Sequence, residues 1–384
     1  MNNVTEKINE LIGDDDFTVY VESVLSGSKV KHGSLEDLSG NINRVKRLSI
    51  SLTTGDTSLI VKHVPEAGRL AGYPTLFFSS DRLDFDYQWL TTAATILNKE
   101  NGQGLKIPVI FHYDSLNRTM IMEDLGRKSL SETLPGFRDA TAALVDLLTK
   151  AGSELAHIHK RAGALARKTC NKAAADNRPY LFSYHIKEPD LVSSIWQDNG
   201  AAGIGIDERR ELQAAFLRTH QSKVEPILDR LSSNFSKRDK GAKVYCHGDL
   251  HTGSVMLFEE NQNRSLAIID AEFCDQGPPG FDPGVLTAHL MAELLVLGYS
   301  KTDTRNILTA LPAAYIQSLD DFPSPKEDLE QEILLYTGAE LLRRLLGPAG
   351  FNRTLSREQF EELLERSIEL LTRPESQAGD YLHG

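Results

Sequence analysis

Cysteine is scarce. The 384 residues hold only Cys170, Cys246 and Cys274. An odd, widely spaced set is no disulfide framework, and no CxxC pair suggests a zinc site. The three thiols read as small buried hydrophobes. A basic excess is lacking too: 42 Lys and Arg stand against 54 Asp and Glu, a net charge of −12. That argues against nucleic acid as the main partner, because a phosphate backbone is gripped by a Lys/Arg surface. It leaves room for a small anionic substrate at one local arginine cluster. No run of about 18 apolar residues occurs, so no membrane span is expected. The opening MNNVTEKINELIGDDDF is polar and acidic, unlike a signal or transit peptide. The expectation is a reduced, cytoplasmic compartment with no membrane partner.

What is present is globular. Hydrophobic residues make up 40% and charged residues 25% of the chain. The length suits two domains, or two lobes that share a cleft, with a core that needs no staples. No internal repeat or low-complexity tract stands out.

The first third reads as mixed β and α. Lys46–Val64 alternates apolar and polar residues around Thr54-Gly55-Asp56, which predicts strands near Arg47–Leu52 and Ser58–His63. Ser79–Glu100 has helical periodicity behind a serine cap region. Ile107–Gly126 predicts two short strands around Asp114–Asn117, then a linker at Glu123–Gly126. The remainder is mostly helical, with helical spacing in Ala140–Arg161, Glu208–Leu231, Pro283–Leu297, Glu327–Leu346 and Ser356–Thr372. A β island interrupts it: Lys243–Asp249, Ser254–Glu260 and Ser265–Phe273. Short strands and tight polar loops inside a helical lobe suggest a scaffold that gathers loop-borne residues into one site.

Four constellations carry chemistry. In CHGDLHTGS an apolar strand delivers Asp249 at a strand-to-loop junction. A carboxylate there can accept a hydroxyl proton and orient the oxygen as nucleophile. Ser254 can reach a metal or a phosphate. HGD also occurs in ordinary turns. His247 and His251 are spaced as a helical metal pair, but Gly248 and Gly253 oppose a helix there. His247 then reads as a histidine that holds the loop. In LAIIDAEF, Asp270 and Glu272 are one residue apart at a strand end, so they share a face if the strand continues. Paired hard oxygens suit Mg²⁺ bridging nucleotide phosphates. A solvated strand end is the plainer alternative.

Lys62 lies within the apolar strand SLIVKHV, and Asp86 on the following helix can pair with it to hold phosphates. A lysine snorkelling at a sheet edge has the same pattern. Upstream, Gly40, Asn41 and Asn43 form a turn that can fold over phosphates, although it is neither GxGxxG nor Walker. Finally, Arg343 and Arg344 interrupt an apolar helical stretch that Gly347 ends. They read either as a charge pair at a helix C-terminus or as a clamp for an anionic or polyhydroxyl substrate or for the transferring phosphoryl group.

Together these stretches resemble the aminoglycoside phosphotransferase branch of the protein-kinase-like family, and within it the methylthioribose kinase group. The likeness rests on HGDLHTGS (His247–Ser254), DAEFCDQGPPGFDPG (Asp270–Gly284), MEDLG (Met122–Gly126) and Arg343-Arg344. It implies an α+β, bilobal fold: an N-lobe of antiparallel sheet with a helix (1–125) and a larger, mostly helical C-lobe with a small β insert (126–384). It implies a cytoplasmic, ATP- and Mg²⁺-dependent transfer of the γ-phosphate to a small-molecule hydroxyl, with 5-methylthioribose as the first substrate. A paralogous kinase for another small hydroxyl compound and a nucleotide-binding pseudokinase are the alternatives.

By resemblance, Asp249 is the catalytic base, and Asp270, Glu272 and Ser254 face the metal. Lys62 and Asp86, the Gly40-Asn41-Asn43 turn, and Met122, Glu123 and Leu125 hold the nucleotide. Arg343, Arg344 and His251 contact substrate. A homodimer is implied as well. There are departures from the family pattern: Ser254 stands where most relatives have Asn, Asp86 takes the place of a longer glutamate, Gly72–Arg82 is long and lacks a tryptophan, and Lys168–Ile206 matches no motif.

Overall fold

The computed structural model describes residues 14–25, 29–38, 43–52, 55–64, 67–70, 73–100, 104–162, 171–196, 204–236, 243–260, 263–319, 323 and 325–381. Gly40, Asn41 and Cys170 lie outside the described residues.

The N-terminal elements are α1 (Asp14–Val24), β1 (Lys29–Asp37), β2 (Arg44–Leu52), β3 (Gly55–His63), β4 (Ala67–Leu70) and β5 (Tyr73–Ser79). Helix α2 (Arg82–Glu100), β6 (Leu105–Lys106), β7 (Ile110–Asp114) and β8 (Thr119–Glu123) complete them. Five strands form an antiparallel sheet in the order β1-β2-β3-β8-β7. The anticipated hairpin is β2–β3, in unbroken register from Arg44↔His63 to Leu52↔Gly55. Its alternation buries Leu48, Ile50, Leu59 and Val61 with Tyr20 and Val21 of α1 and Ile121 of β8. Lys62 faces Val45 on β2 and Met120 on β8. It therefore sits on an inner strand, and the sheet-edge reading is excluded.

The C-terminal elements are α3 (Leu130–Thr133), α4 (Thr141–Ala162), α5 (Lys172–Phe182), α6 (Tyr184–Lys187), α7 (Pro189–Ser194) and α8 (Ile206–Ser236). Then come β9 (Val244–Cys246), β10 (Val255–Glu260), β11 (Asn263–Ile268) and β12 (Asp275–Gly277). Helices α9 (Phe281–Leu297), α10 (Lys301–Ser318), α11 (Lys326–Leu346), α12 (Arg357–Thr372) and α13 (Pro374–Tyr381) follow. All five helical stretches read from spacing are helices, with ends shifted by a few residues.

Helix α10 had no clear signal. Pro312 sits inside it and removes one helical hydrogen bond. Tertiary packing overrides that cost. A Cβ on Gly152 of α4 would lie 2.4 Å from the carbonyl oxygen of Leu311, so the two helices meet almost backbone to backbone. Ser153 and Ser318 hydrogen-bond across the same contact at 2.8 Å.

The β island is present but shorter than expected. β11 stops at Ile268, and Asp270 has φ +68°. A left-handed residue ends a strand, so Asp270 and Glu272 do not share a strand face. They occupy a turn instead.

One hydrophobic core joins the two parts. It runs from Val64, Leu83, Trp89 and Leu90 through Leu148, Leu155, Leu286 and Leu290 to Leu342 and Leu371. Helix α2 packs on this core, and Trp89 Nε1 donates to Tyr245 O at 3.1 Å. The two residues of β6 pair in parallel with Leu266 and Ala267 of β11. The N-terminal part thus adds both a helix and a strand to the C-terminal one. No helix among the described residues is long and apolar enough to cross a membrane.

Candidate active site

Lys62 is the hub of the first cluster. It is 3% exposed. Its ammonium contacts Asp86 Oδ2 at 2.5 Å, Asp270 Oδ1, and Glu272 Oε2 at 3.7 Å. Burial opposes its charge, but Asp270, Asp86 and Glu272 more than offset that, and its pKa rises. The short side chain of Asp86 still reaches the lysine, and its other oxygen accepts the backbone N–H of Ala271 at 2.8 Å. One carboxylate therefore holds both the lysine and the DxE turn.

Glu272 has a second buried cation, which the sequence reading missed. Arg82, with no exposed surface, donates from Nε to Glu272 Oε2 at 3.2 Å. Asn43 bridges the two: Nδ2 donates to Glu272 Oε2 at 2.7 Å, and Oδ1 accepts from Arg82 Nη2 at 2.8 Å. Asn43 was expected in a turn over phosphates. Its amide instead ties the start of β2 to the DxE turn. Asn171, the N-cap of α5, holds the same turn through the carbonyls of Glu272 and Cys274 at 2.8 and 3.0 Å.

The HGD loop is fixed from below. Asp282, fully buried at the start of α9, accepts His247 N–H at 2.6 Å and Gly248 N–H at 3.1 Å. The ring of His159 meets its Oδ2 at 3.0 Å. Gly248 has φ +92°, and a Cβ there would lie 2.0 Å from Phe273 O, so only glycine fits. His247 Nε2 bonds Ile269 O at 2.9 Å, and its ring meets Trp89 edge-on. It holds the loop, as its context suggested.

Ser254 is buried, and its hydroxyl closes the loop on itself. It donates to Asp249 O at 3.2 Å or His251 O at 2.9 Å and accepts His251 N–H at 2.9 Å. Its hydroxyl is thus engaged within the loop. Thr252 is anchored to the buried Glu293, which also accepts Ser131 Oγ at 2.7 Å and Arg353 Nε at 3.2 Å.

Around Asp249 the last turn of α11 supplies the charge. Arg343 Nη2 and Arg344 Nη2 lie 3.4 and 3.3 Å from Asp249 Oδ1. Glu340 organises the pair. It accepts Arg343 Nε and Nη2 at 2.6 Å each and Arg344 Nε at 2.7 Å. His289 Nε2 joins it at 3.1 Å, and the His289 ring stacks on His251 at 5.2 Å. His251 Nε2 stands 3.8 Å from Asp249 Oδ2. Burial would raise the Asp249 pKa, but His251, Arg344 and Arg343 pull it below the usual carboxylate value. Burial and Arg344 push His289 down to about 3, so it is neutral. Glu340 and His289 were absent from the sequence reading. The i, i+3, i+4 spacing of Glu340, Arg343 and Arg344 was the available signal.

The donor set suits Mg²⁺ in part. Among the described residues no cluster of three or more metal-type side chains occurs. The Asp270 side chain is 49% exposed, and every described contact to the Glu272 carboxylate falls on Oε2. Mg²⁺ commonly takes one or two carboxylates and completes its shell with phosphate oxygens and water. Asp270 and Glu272 fit that demand.

At the linker, Met122 is buried between β3 and β7. Glu123 is engaged with the segment before β7: its N–H donates to Val109 O at 2.8 Å, and its carboxylate takes Val109 N–H and Lys106. Asp124 was passed over in the sequence, yet it is the pin of the linker. It accepts Arg47 Nε at 2.7 Å, Arg47 Nη2 at 3.1 Å and Ser58 Oγ at 2.6 Å. A cavity of about 800 Å³ opens beside Leu125, between the linker and Leu257–Glu259. Lys62, Asp249 and Asp270 are not in its wall.

The chain is similar to several small-molecule kinases. The 4-hydroxytryptamine kinase of Psilocybe cyanescens is 24% identical over 361 residues, 84% of this chain and 92% of that one. A methylthioribose kinase of Bacillus cereus is 24% identical over 334 residues, 81% of this chain and 77% of that one. Shorter alignments to other methylthioribose kinases cover 39% and 43% of their length. A glucosamine kinase solved with glucosamine, ADP and phosphate superposes with a TM-score of 0.47 at 11% identity, over 98% of this chain and 84% of that one. The model of the phosphotransferase enzyme family matches residues 39–315. The chain belongs to that family and is a small-molecule kinase that transfers phosphate to a hydroxyl group.

Proposed function

We propose that the chain transfers the γ-phosphate of ATP to a neutral polyhydroxyl compound, 5-methylthioribose, in the cleft between residues 1–125 and 126–384. The observation that carries the reading is the charge balance around Asp249. Two arginines meet two carboxylates, Asp249 and Glu340, beside a neutral His289. An acceptor with several positive charges would lack excess carboxylates, and an anionic one would find both guanidiniums engaged. A neutral sugar can exchange hydroxyls for the long Arg–Asp249 contacts at little electrostatic cost.

In this reading Lys62 holds phosphate oxygens, with Asp86 fixing its ammonium. Asp270 and Glu272 hold Mg²⁺, which when bound draws charge from the transferring phosphoryl group. Asp249 orients the acceptor hydroxyl and takes its proton as transfer proceeds. Its pKa lies below the usual value, so its contribution is chiefly alignment, as a loose phosphoryl-transfer transition state requires. Arg343 and Arg344 grip the acceptor, and His251 lines the same side. Arg82 keeps Glu272 from repelling Asp270.

The test is ADP release in a coupled assay, with ATP and Mg²⁺ and with methylthioribose as acceptor. Turnover that needs both substrate and cation is the expected result. No ADP above the acceptor-free rate with methylthioribose, but turnover with 4-hydroxytryptamine, would overturn the substrate. The second reading, a hydroxyindole acceptor, draws support from the long alignment to 4-hydroxytryptamine kinase.

A further inference from the structure

The C-terminal end of α11 is gripped from outside by residues that belong to no motif. The last carbonyls of a helix have no partner within it. Arg209, near the start of α8, donates to Leu345 O from Nε at 2.9 Å and Nη2 at 2.7 Å, and to Gly347 O from Nη2 at 2.9 Å. Gln213, one turn later, reaches Leu346 O at 3.4 Å. Trp196 Nε1 donates to Gly347 O at 2.9 Å, and its ring lies 4.1 Å from the Arg209 guanidinium carbon. All three side chains are buried. A cation at this end also faces the negative pole of the helix. Three successive carbonyls directly after Arg343-Arg344 are thus held by one cluster.

We propose that Arg209 and Trp196 are positioning residues that hold Arg343 and Arg344 over Asp249 and so set acceptor binding. The inference rests on the reading that the arginine pair faces the acceptor. The Arg–Asp249 contacts, at 3.3 and 3.4 Å, stand at the outer limit of a hydrogen bond. A small rotation of the last turn breaks both. Glu340 fixes the pair from the N-terminal side, and Gly347 N–H closes on Arg343 O at 2.7 Å. The clamp fixes the turn from the other side. Helix α6 backs the same region. His185 is fully buried there, and burial together with Arg343 pushes its pKa down to about 3, so it stands neutral behind the pair. His185, Trp196, Arg209 and Gln213 therefore back the last turn that carries the arginine pair.

The experiment uses the full chain with Arg209→Lys and Trp196→Phe. Lysine keeps the charge but loses the forked donor geometry, and phenylalanine keeps the apolar contact without the N–H. Methylthioribose is the acceptor probe, and amide hydrogen exchange of residues 343–349 is the readout that needs no acceptor. In Arg209→Lys these amides should exchange about tenfold faster, and the acceptor KM should rise about tenfold. The ATP KM should stay within about twofold. Trp196→Phe should shift both readouts in the same direction by less. Faster exchange with an unchanged acceptor KM overturns the proposal, because the clamp then only fastens a helix end. Unchanged exchange, or an equal rise in both KM values, overturns it too. A wild type that leaves methylthioribose untouched sinks the substrate reading alone. The exchange comparison then stands, and the KM comparison is made with 4-hydroxytryptamine.

Discussion

Glu340 holds Arg343 by two parallel hydrogen bonds of 2.6 Å, three residues apart on one buried helix turn. Such a fork fixes a guanidinium in plane and direction. Glu340→Gln keeps the shape and removes the charge, so both arginines loosen. The acceptor KM should rise at least about tenfold, with the ATP KM little changed. Glu340→Ala should also lower the unfolding free energy by about 3 kcal/mol, because it leaves buried cations unpaired. Steady-state kinetics and urea unfolding read the two effects. Equal KM values in Glu340→Gln and wild type would show that the pair does not meet the acceptor.

Asp249→Asn preserves volume and some of the contacts to the arginines but cannot take a proton. Turnover should fall by about 10³-fold. Calorimetric ATP affinity should change by less than about threefold, because the proposed function assigns the nucleotide to the Lys62 cluster. Near wild-type turnover would remove Asp249 from the chemistry.

Much of this arrangement was legible in the sequence. Strands β2 and β3 were legible from their alternation around the turn, but Val61, Lys62 and His63 are buried in succession, so the pattern did not separate an inner-strand Lys62 from one at a sheet edge. Asp249, Asp270 and the arginine pair stand out because charge interrupts apolar stretches. The partners were harder to see. Arg82, Asp282 and Glu293 are ordinary polar letters near helix starts or inside apolar helices, and only the tertiary fold buries them. Asp124 looked like a linker residue, because its partner Arg47 comes from a strand 77 residues away. Helix α10 was hidden by Pro312, whose cost is met by contact with Gly152. The strand assumed for Asp270 ended early because nothing in the local composition signals a left-handed aspartate.

Gly248 permits no side chain. Gly248→Ala places a Cβ against Phe273 O at a backbone angle that L-residues avoid. The loop must shift and loosen from Asp282. We expect a loss of about 2–4 kcal/mol in urea unfolding and a fall in kcat of at least about 10²-fold. An alanine variant with wild-type stability would contradict this account of the loop.

Glu332 gives the protein a pH dependence away from the site. Burial raises its pKa from 4.5 to about 7, while the N–H of Gly280, donated at 2.8 Å, opposes the rise. The folded state thus binds the proton more tightly than the unfolded chain does. The associated stability is fully present below pH 4.5 and is lost as pH rises through about 7. Glu332→Gln keeps an acceptor for Gly280 and removes the titration. At pH 8 it should be more stable than wild type by on the order of 1–2 kcal/mol, with no gain at pH 4.5. Thermal unfolding at the two pH values measures it. A variant less stable at pH 8 would show that the charged carboxylate is favourable there.

The pairing of Leu105–Lys106 with Leu266–Ala267 also bears on the order of assembly. During synthesis the N-terminal sheet emerges long before β11 exists, so β6 and the apolar face of α2 must wait without their partners. Such a delay favours late, non-local closure and a slow, chaperone-exposed intermediate. A severed N-terminal half would carry that unsatisfied edge permanently. The two parts are therefore joined through the backbone as well as through a shared core.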